Sequence, residues 1–394
     1  MRVLIVGAGV AGPTLAYWLA HFGLIPTLVE AAPHLRTGGY IIDFWGAGFD
    51  IAERMGLLPQ IENRGYKVQE LRVVDRGGRR VAGFPVDAFF RLTHGRYVSL
   101  PRTALASSIF DKIEGNVKTI FGTTVDQIEQ TSGTVRVRFT SGETREFDLL
   151  VGADGLHSRV RELAFGGGKN FEKYLGFKVA AFVVDGYQPR DELVYLMYTE
   201  VGQQVARFSL RDNQTMFLFT FADANVNGPK DVEGQKAQLR RRFENSGWEC
   251  PQILNALDST SDFYFDRVSQ IRMDPKQGLW SRGRVTLVGD SAFCVSLLGG
   301  QGSALAMIAA YILAGELSRC KGDYAAAFTQ YQNLFGPFVQ KKQDAALRFA
   351  SSFAPKSNFA LYLRNQIFNL MAIPWIANLA LGSGLAEKID LPNY

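Results

Sequence analysis

The chain has 394 residues, of which 47% are hydrophobic and 21% charged, the make-up of a folded protein of two or more domains rather than a fibrous or disordered one. A formal net charge of +5 with scattered Lys and Arg argues against a nucleic-acid binder and suits an anionic cofactor; Arg240 to Arg242 sit in a helical pattern and read as a solvated face. Cys250, Cys294 and Cys320 lie far apart with no Cys or His at metal spacing, so a reduced, cytoplasmic setting and no metal site are expected.

The first stretch, "RVLIVGAGVAGPTLAYWLAHFGLIPTLVE", predicts a buried strand over Val3 to Val6, a tight turn, a helix over about Pro13 to Phe22 and a second strand ending at Glu30. Its start imitates a secretion signal, but the glycine spacing makes sense only if the segment stays in the mature fold. Gly7, Gly9 and Gly12 fit G-x-G-x-x-G between strand and helix, with Ala11 in the turn. One glycine permits the turn, one lets backbone approach a pyrophosphate and one allows close packing, so the helix N-terminus faces the phosphates. Glu30, eighteen residues after Gly12, is placed to accept both hydroxyls of an adenosine ribose and would repel a 2′-phosphate, which favours FAD or NAD over NADP here.

The second stretch, "DLLVGADGLHSRVRELAF", predicts a strand over Leu149 to Gly152 that delivers Asp154 and Gly155 to a turn, then a helix with Ser158 and Arg161 in its first turns. Alternating, aromatic-rich segments follow, among them "LVYLMYTE", "QQVARFSL" and "TMFLFTFA", and read as an antiparallel sheet. Pairing around Glu200-Val201-Gly202 and Asp212-Asn213 puts Tyr195, Met197, Val205, Arg207, Met216, Leu218 and Thr220 on one face, and Leu196, Ala206, Phe208, Phe217, Phe219 and Phe221 on the other. The uniformly apolar second face is expected to pack on an amphipathic helix near Gln235 to Phe243. The first suits a pocket for a flat, partly polar substrate, with Tyr195, Arg207, Met216 and Leu218 as its candidate contacts. Arg207 is either such a ligand or a solvated cross-strand charge, and a one-residue register shift reverses the assignment.

The third stretch, "VTLVGDSAFCVSLLGGQGSALAM", is a buried strand ending in Asp290, followed by a loop with Gly299, Gly300, Gln301 and Gly302 and a new helix. Three separated strands each ending in glycine and an acid suit a dinucleotide longer than NAD. After about Asp323 two long helices are expected, interrupted near Pro337 and Pro355. The apolar run Ile367 to Leu381 is broken by Asn369, Pro374 and Asn378, too short and interrupted for a spanning helix, and reads as a helix packed on the rest. The histidines, His21, His34, His94 and His157, are scattered, and no Ser-His-Asp arrangement is legible.

These three stretches resemble the three fingerprints of the FAD-dependent aromatic hydroxylases, the group A flavoprotein monooxygenases related to p-hydroxybenzoate hydroxylase, over about the first 320 residues. The resemblance implies an α/β fold: a Rossmann-like FAD-binding domain built from 1–74, 95–174 and 262–323, an inserted antiparallel-sheet substrate domain from 75–94 and 175–261, and C-terminal helices over 324–394. It gives Asp290 the flavin ribityl chain and Arg102, in "YVSLPRTALASSIF", the FAD phosphates; Asp154 and Gly155 match a pair linked to FAD and NADPH. The loop Gly299 to Gly302 would approach the ring, and Tyr40, Asp43 and Phe44 either line the site or simply pack. The family's Asp-Ala-Ala-His is Asp290-Ser291-Ala292-Phe293 here, its loop proline is Leu297, and an asparagine after Gln-Gly is Ala304. The implied activity is monooxygenation: NADPH or NADH reduces FAD, oxygen forms a flavin C4a-hydroperoxide, and an aromatic or polyketide-like substrate is hydroxylated, so that the flavin rather than a protein side chain is the catalyst. The helical ending resembles the tetracycline-inactivating members, which would make the chain an antibiotic-resistance enzyme. No membrane span is expected, and a monomer or weak homodimer is. A flavin-dependent reductase, a halogenase (disfavoured by the missing Trp-x-Trp-x-Ile-Pro) and a non-catalytic binding module of the same fold are the alternatives.

Overall fold

The computed structural model describes residues 1–35, 40–166, 171–260, 262–273, 279–373, 375–376 and 389–394. Strand Arg2–Val6 is the hub of a sheet whose order runs Ser281–Arg282, Val285–Leu287, Leu149–Gly152, Arg2–Val6, Ile25–Glu30, Lys118–Phe121. All pairs but the first are parallel. Val3, Leu4, Ile5, Leu149, Leu150, Val151 and Val285 are wholly buried, as strands covered on both faces require. Helices Ala11–His21 and Gly302–Arg319 pack on each other beside this sheet. Open parallel sheets bind ligands beyond the carboxyl ends of their strands, and here those ends are Val6, Glu30, Gly152 and Leu287, on four neighbouring strands.

The second large sheet has the order Phe263–Ile271, Glu172–Asp185, Gln214–Ala222, Gln203–Ser209, Val194–Glu200, Glu70–Val74, Arg80–Pro85. It takes in Glu70–Val74 and Phe263–Ile271, so it starts before and ends after the boundaries drawn from sequence, because those strands complete their hydrogen bonding only by pairing there. A two-stranded antiparallel sheet, Ile41–Trp45 with Tyr97–Pro101, lies between the two large sheets. Ile42 and Phe44 enter the first core, whereas Ile41, Trp45 and Tyr97 join a cluster with Phe208 and Met216 of the second sheet.

The apolar face of the second sheet packs on helix Val232–Phe243 as expected, with the Phe219 and Phe221 rings 4.9 and 5.9 Å from that of Phe243. Its middle strand is turned over relative to the sequence reading. Glu200 pairs with Gln203 across a two-residue Val201-Gly202 turn, so Leu196 faces Arg207 and Met197 faces Ala206. Ser209 pairs with Thr215 across a five-residue loop, so Arg207 faces Phe217 and Phe208 faces Met216. Each loop has the opposite parity to the one assumed; the two errors cancel for Tyr195, Met216 and Leu218 and flip only Gln203–Ser209.

Tyr324–Phe353 runs as one helix through Pro337, with no interruption. Phe335 and Val339 on either side are buried in the core, and this packing outweighs the roughly 3 kcal/mol cost of an interior proline. The chain breaks near Pro355 and resumes as Asn358–Leu370. Of the apolar run Ile367 to Leu381, Ile367, Leu370, Ile373 and Trp375 are exposed, whereas Met371 is buried and Phe368 packs its ring 5.7 Å from that of Phe84, which docks helix Asn358–Leu370 on strand Arg80–Pro85; Pro374 and residues 377–388 lie outside the described residues. Among the described residues no helix is long and apolar enough to cross a membrane. The C-terminus returns to the first core, where Tyr394 packs on Gly315 and donates to Glu316 at 2.7 Å.

Candidate functional site

The three glycine stretches meet at the carboxyl end of the parallel sheet. Gly7 N–H donates to Val29 O at 2.7 Å, Ala153 N–H to Val6 O at 2.8 Å and Val288 N–H to Gly152 O at 2.9 Å, so each loop leaves from the edge of its neighbour. Gly7 has φ +107°, and a Cβ there would stand 2.5 Å from Ala153 O; first and second loops touch backbone to backbone, which no other residue type allows. A Cβ on Gly12 would overlap the Gly7 carbonyl oxygen, so the helix Ala11–His21 can start this close to the turn only with glycine there. Gly289 closes the ring: a Cβ on it would lie 2.9 Å from that of Ala11, which places Asp290 beside the first turn. Asp290 Oδ1 in turn lies 3.7 Å from where Gly302 would carry a Cβ, at the start of helix Gly302–Arg319.

Glu30 accepts from Ala8 N–H at 2.7 Å and from Ala32 N–H at 3.0 Å, which fixes its carboxylate at the strand tip. Arg102 opens helix Arg102–Phe110, and its Nη2 is 3.9 Å from the Cβ position of Gly9. Its guanidinium has no hydrogen bond or ion pair among the described residues, a cation held over a glycine turn and a helix N-terminus, which fits a pyrophosphate in between. Gly155 and Gly300 would meet nothing within 4 Å on gaining a Cβ, so both border open space; Gln301 caps the helix that begins at Gly302. Glu30, Gly9 with Arg102, Asp290 and the Gly300–Gly302 loop form one cradle at the carboxyl end of the parallel sheet.

Asp154 does something other than point at open space. Ser158 Oγ donates to it at 2.5 Å and Val160 N–H at 3.0 Å, so it caps helix Arg159–Phe165. Burial pushes its pKa up, and these two donors oppose the rise. Two residues that sequence reasoning left without a role bind the loops together. Arg161 is buried and donates to Ser291 O at 2.9 Å and Leu156 O at 2.7 Å; Ser291 Oγ donates to Gly152 O at 2.6 Å. Phe293, standing where the family has histidine, packs its ring against Trp280 and Phe335.

Across the cradle, Tyr195, Met216 and Leu218 share the face of the second sheet that looks toward it. Met216 Sδ accepts from Ile41 N–H at 3.2 Å, Tyr195 packs on Phe208, and Leu218 clusters with Tyr264 and Leu297 of the glycine loop. The Tyr40 and Tyr264 rings stand 5.6 Å apart beside Arg102, and burial pushes the Tyr40 hydroxyl up to about 12. Arg207 is not in this group. It is on the opposite face, 2% exposed, held by Glu249 at 2.6 Å and by Asp191, because the true register turns odd-numbered residues of its strand outward. The hollow of about 720 Å³ that it helps line, with Arg72, Arg76, Trp248 and Glu249, is therefore behind the sheet and away from the three loops. A smaller cavity of about 180 Å³, lined by Trp45, Gly46, Gly48, Gln301, Ala304 and Phe338, continues from the glycine loop.

The family model described as an FAD binding domain matches residues 1–327. The chain belongs to this FAD-binding family. It is 31% identical over 405 residues to a flavin-dependent monooxygenase of Legionella longbeachae, covering 100% of this chain and 98% of that protein. An uncharacterised protein of Mycobacterium tuberculosis is 38% identical over 353 residues, 86% of this chain and 91% of the relative. Among solved structures, the tetracycline destructase Tet(51) superimposes with a TM-score of 0.83 at 32% identity, covering 100% of this chain and 99% of that one. This chain is thus a group A, p-hydroxybenzoate-hydroxylase-like FAD-dependent monooxygenase, with the PHBH-like α/β fold.

Proposed function

We propose that this monooxygenase takes electrons from NADPH or NADH and hydroxylates an aromatic or polyketide-like small molecule, tetracycline-type antibiotics included. The flavin supplies the oxygen-transfer chemistry, through a C4a-hydroperoxide. The protein's part is binding, orientation and exclusion of water. In this reading Glu30 receives the adenosine ribose, the Ala11–His21 N-terminus and Arg102 receive the pyrophosphate, and Asp290 receives the ribityl chain. The N–H groups at Gln301 and Gly302 would face the ring, where negative charge would gather on reduction. Asp154 and Gly155 shape the second loop, and Tyr195, Met216 and Leu218 form the substrate wall. We also propose that the division of labour follows the sheets, with 324–394 bridging them.

The observation that carries the reading is the meeting of Gly9, Arg102 and Asp290 from three distant stretches in one cradle. The name of the full-length relative supports monooxygenation, and that of the tetracycline destructase supports the substrate class. The test is NADPH oxidation by the purified holoenzyme with tetracycline and a panel of phenols under ¹⁸O₂, read by mass spectrometry. One labelled oxygen in the product is expected. NADPH consumption that no ring accelerates, with no labelled product, would refute it.

A further inference from the structure

On strand Ile41–Trp45 the side of Asp43 is that of Ile41 and Trp45, facing the second sheet. Three hydroxyls converge on a single oxygen of its carboxylate. Oδ1 accepts from Ser99 Oγ at 2.6 Å, Tyr97 Oη at 2.8 Å and Tyr195 Oη at 3.3 Å. Ser99 and Tyr97 are buried, Tyr195 is half-buried on the substrate wall, and Asp43 is exposed. Oδ2 has no hydrogen bond among the described residues. The arrangement fixes the carboxylate and leaves one oxygen, two lone pairs, as an acceptor at the junction of wall and cradle.

Among the described residues, the neighbours of Tyr195 on that face are Met197, Ala206, Phe208, Met216 and Leu218, none of them charged, and Arg207, the arginine the sequence offered, is on the far side with Asp191 and Glu249. A carboxylate-bearing ring would meet Asp43 with like charge, whereas a neutral ring bearing an O–H satisfies Oδ2. Burial, and after it the charge of Asp43, push the Tyr97 and Tyr195 hydroxyls well above the ordinary tyrosine range, so both stay protonated donors to Oδ1.

We propose that Asp43 Oδ2 accepts a hydrogen bond from an acidic hydroxyl of the substrate, a phenol or enol, and so selects neutral hydroxylated rings over aromatic carboxylates. The inference rests on the substrate-wall reading above. Accepting that hydrogen bond raises electron density on the ring that takes oxygen, which is what an electrophilic oxygen donor requires.

The test uses p-nitrophenol, whose phenol and phenolate forms absorb differently, titrated with pH while bound to the holoenzyme. The wild type should hold it as the neutral phenol and raise its apparent pKa by about one unit or more, a tenfold bias. Asp43→Asn should abolish the shift while binding FAD with unchanged affinity, read by quenching of flavin fluorescence. Tyr195→Phe should keep the direction with a smaller shift. An unshifted or lowered pKa in the wild type, no binding at all, a shift that survives Asp43→Asn, or loss of FAD in that variant would each overturn the proposal. Failure of the broader reading shows separately, as wild-type enzyme that oxygenates no ring whatever the p-nitrophenol titration gives.

Discussion

Replacing Gly9 with alanine separates cofactor binding from folding, because the added methyl would clash with nothing in the protein. Gly9 needs no left-handed backbone, and its Cβ would meet only Arg102 Nη2, at 3.9 Å. A phosphate oxygen bonded to that guanidinium on the side that faces Gly9 would sit about 2.8 Å from the nitrogen, in the space the methyl takes. The apoprotein should therefore keep its stability within about 0.5 kcal/mol of wild type, as a substitution that touches nothing does. FAD affinity should fall at least tenfold, about 1.4 kcal/mol, and up to a hundredfold if one charge-assisted hydrogen bond is lost outright. Gly12→Ala makes the comparison, since its methyl overlaps the Gly7 carbonyl, whose own residue is tied to Val29 O at 2.7 Å; it should lose about 1–3 kcal/mol of apoprotein stability as well as FAD. The assay is thermal unfolding of apoprotein with and without added FAD, together with a fluorescence titration. A Gly9→Ala protein that binds FAD as wild type does would refute the cradle as drawn.

Arg207→Met should leave Glu249 without its cation, Asp191 keeping Arg72 at 2.9 Å, and cost about 3 kcal/mol in denaturant unfolding, while KM for any accepted ring stays unchanged because the side chain is behind the sheet. Ser158→Ala removes both the donor to Asp154 and the acceptor for Arg161 N–H, and should lower stability by about 1 kcal/mol, measured by urea unfolding. His157 has its pKa raised, first by its hydrogen bond to Asp266, with burial opposing. A raised histidine contributes stability that is fully present below its unfolded value, roughly 6.5, and is lost as pH climbs through the raised folded value. The melting-temperature gap between wild type and His157→Gln should accordingly be present at about pH 5.5 and absent at about pH 9; a gap that widens with pH would contradict the pairing.

What the residues announced by themselves was local. Buried runs such as "VLIV" and "LLVG" can only be inner strands, and the G-x-G-x-x-G turn carries its own steric logic in Gly7 and Gly12, so the fold class and the cradle were legible before any long-range contact was known. Which side of a strand faces the substrate was not. It depends on whether a turn holds two, three or five residues, and one residue more or less turned Arg207 from wall to far face while the errors cancelled at Met216 and Leu218. Asp43, Ser99 and Tyr195 come from separate stretches, and Arg161 and Ser291 from two different loops; nothing in their neighbours along the chain marks them as partners. Those groupings exist only because strand order brings distant hydroxyls and carbonyls within reach, and a periodic pattern of apolar residues records that a face is buried without recording what it is buried against.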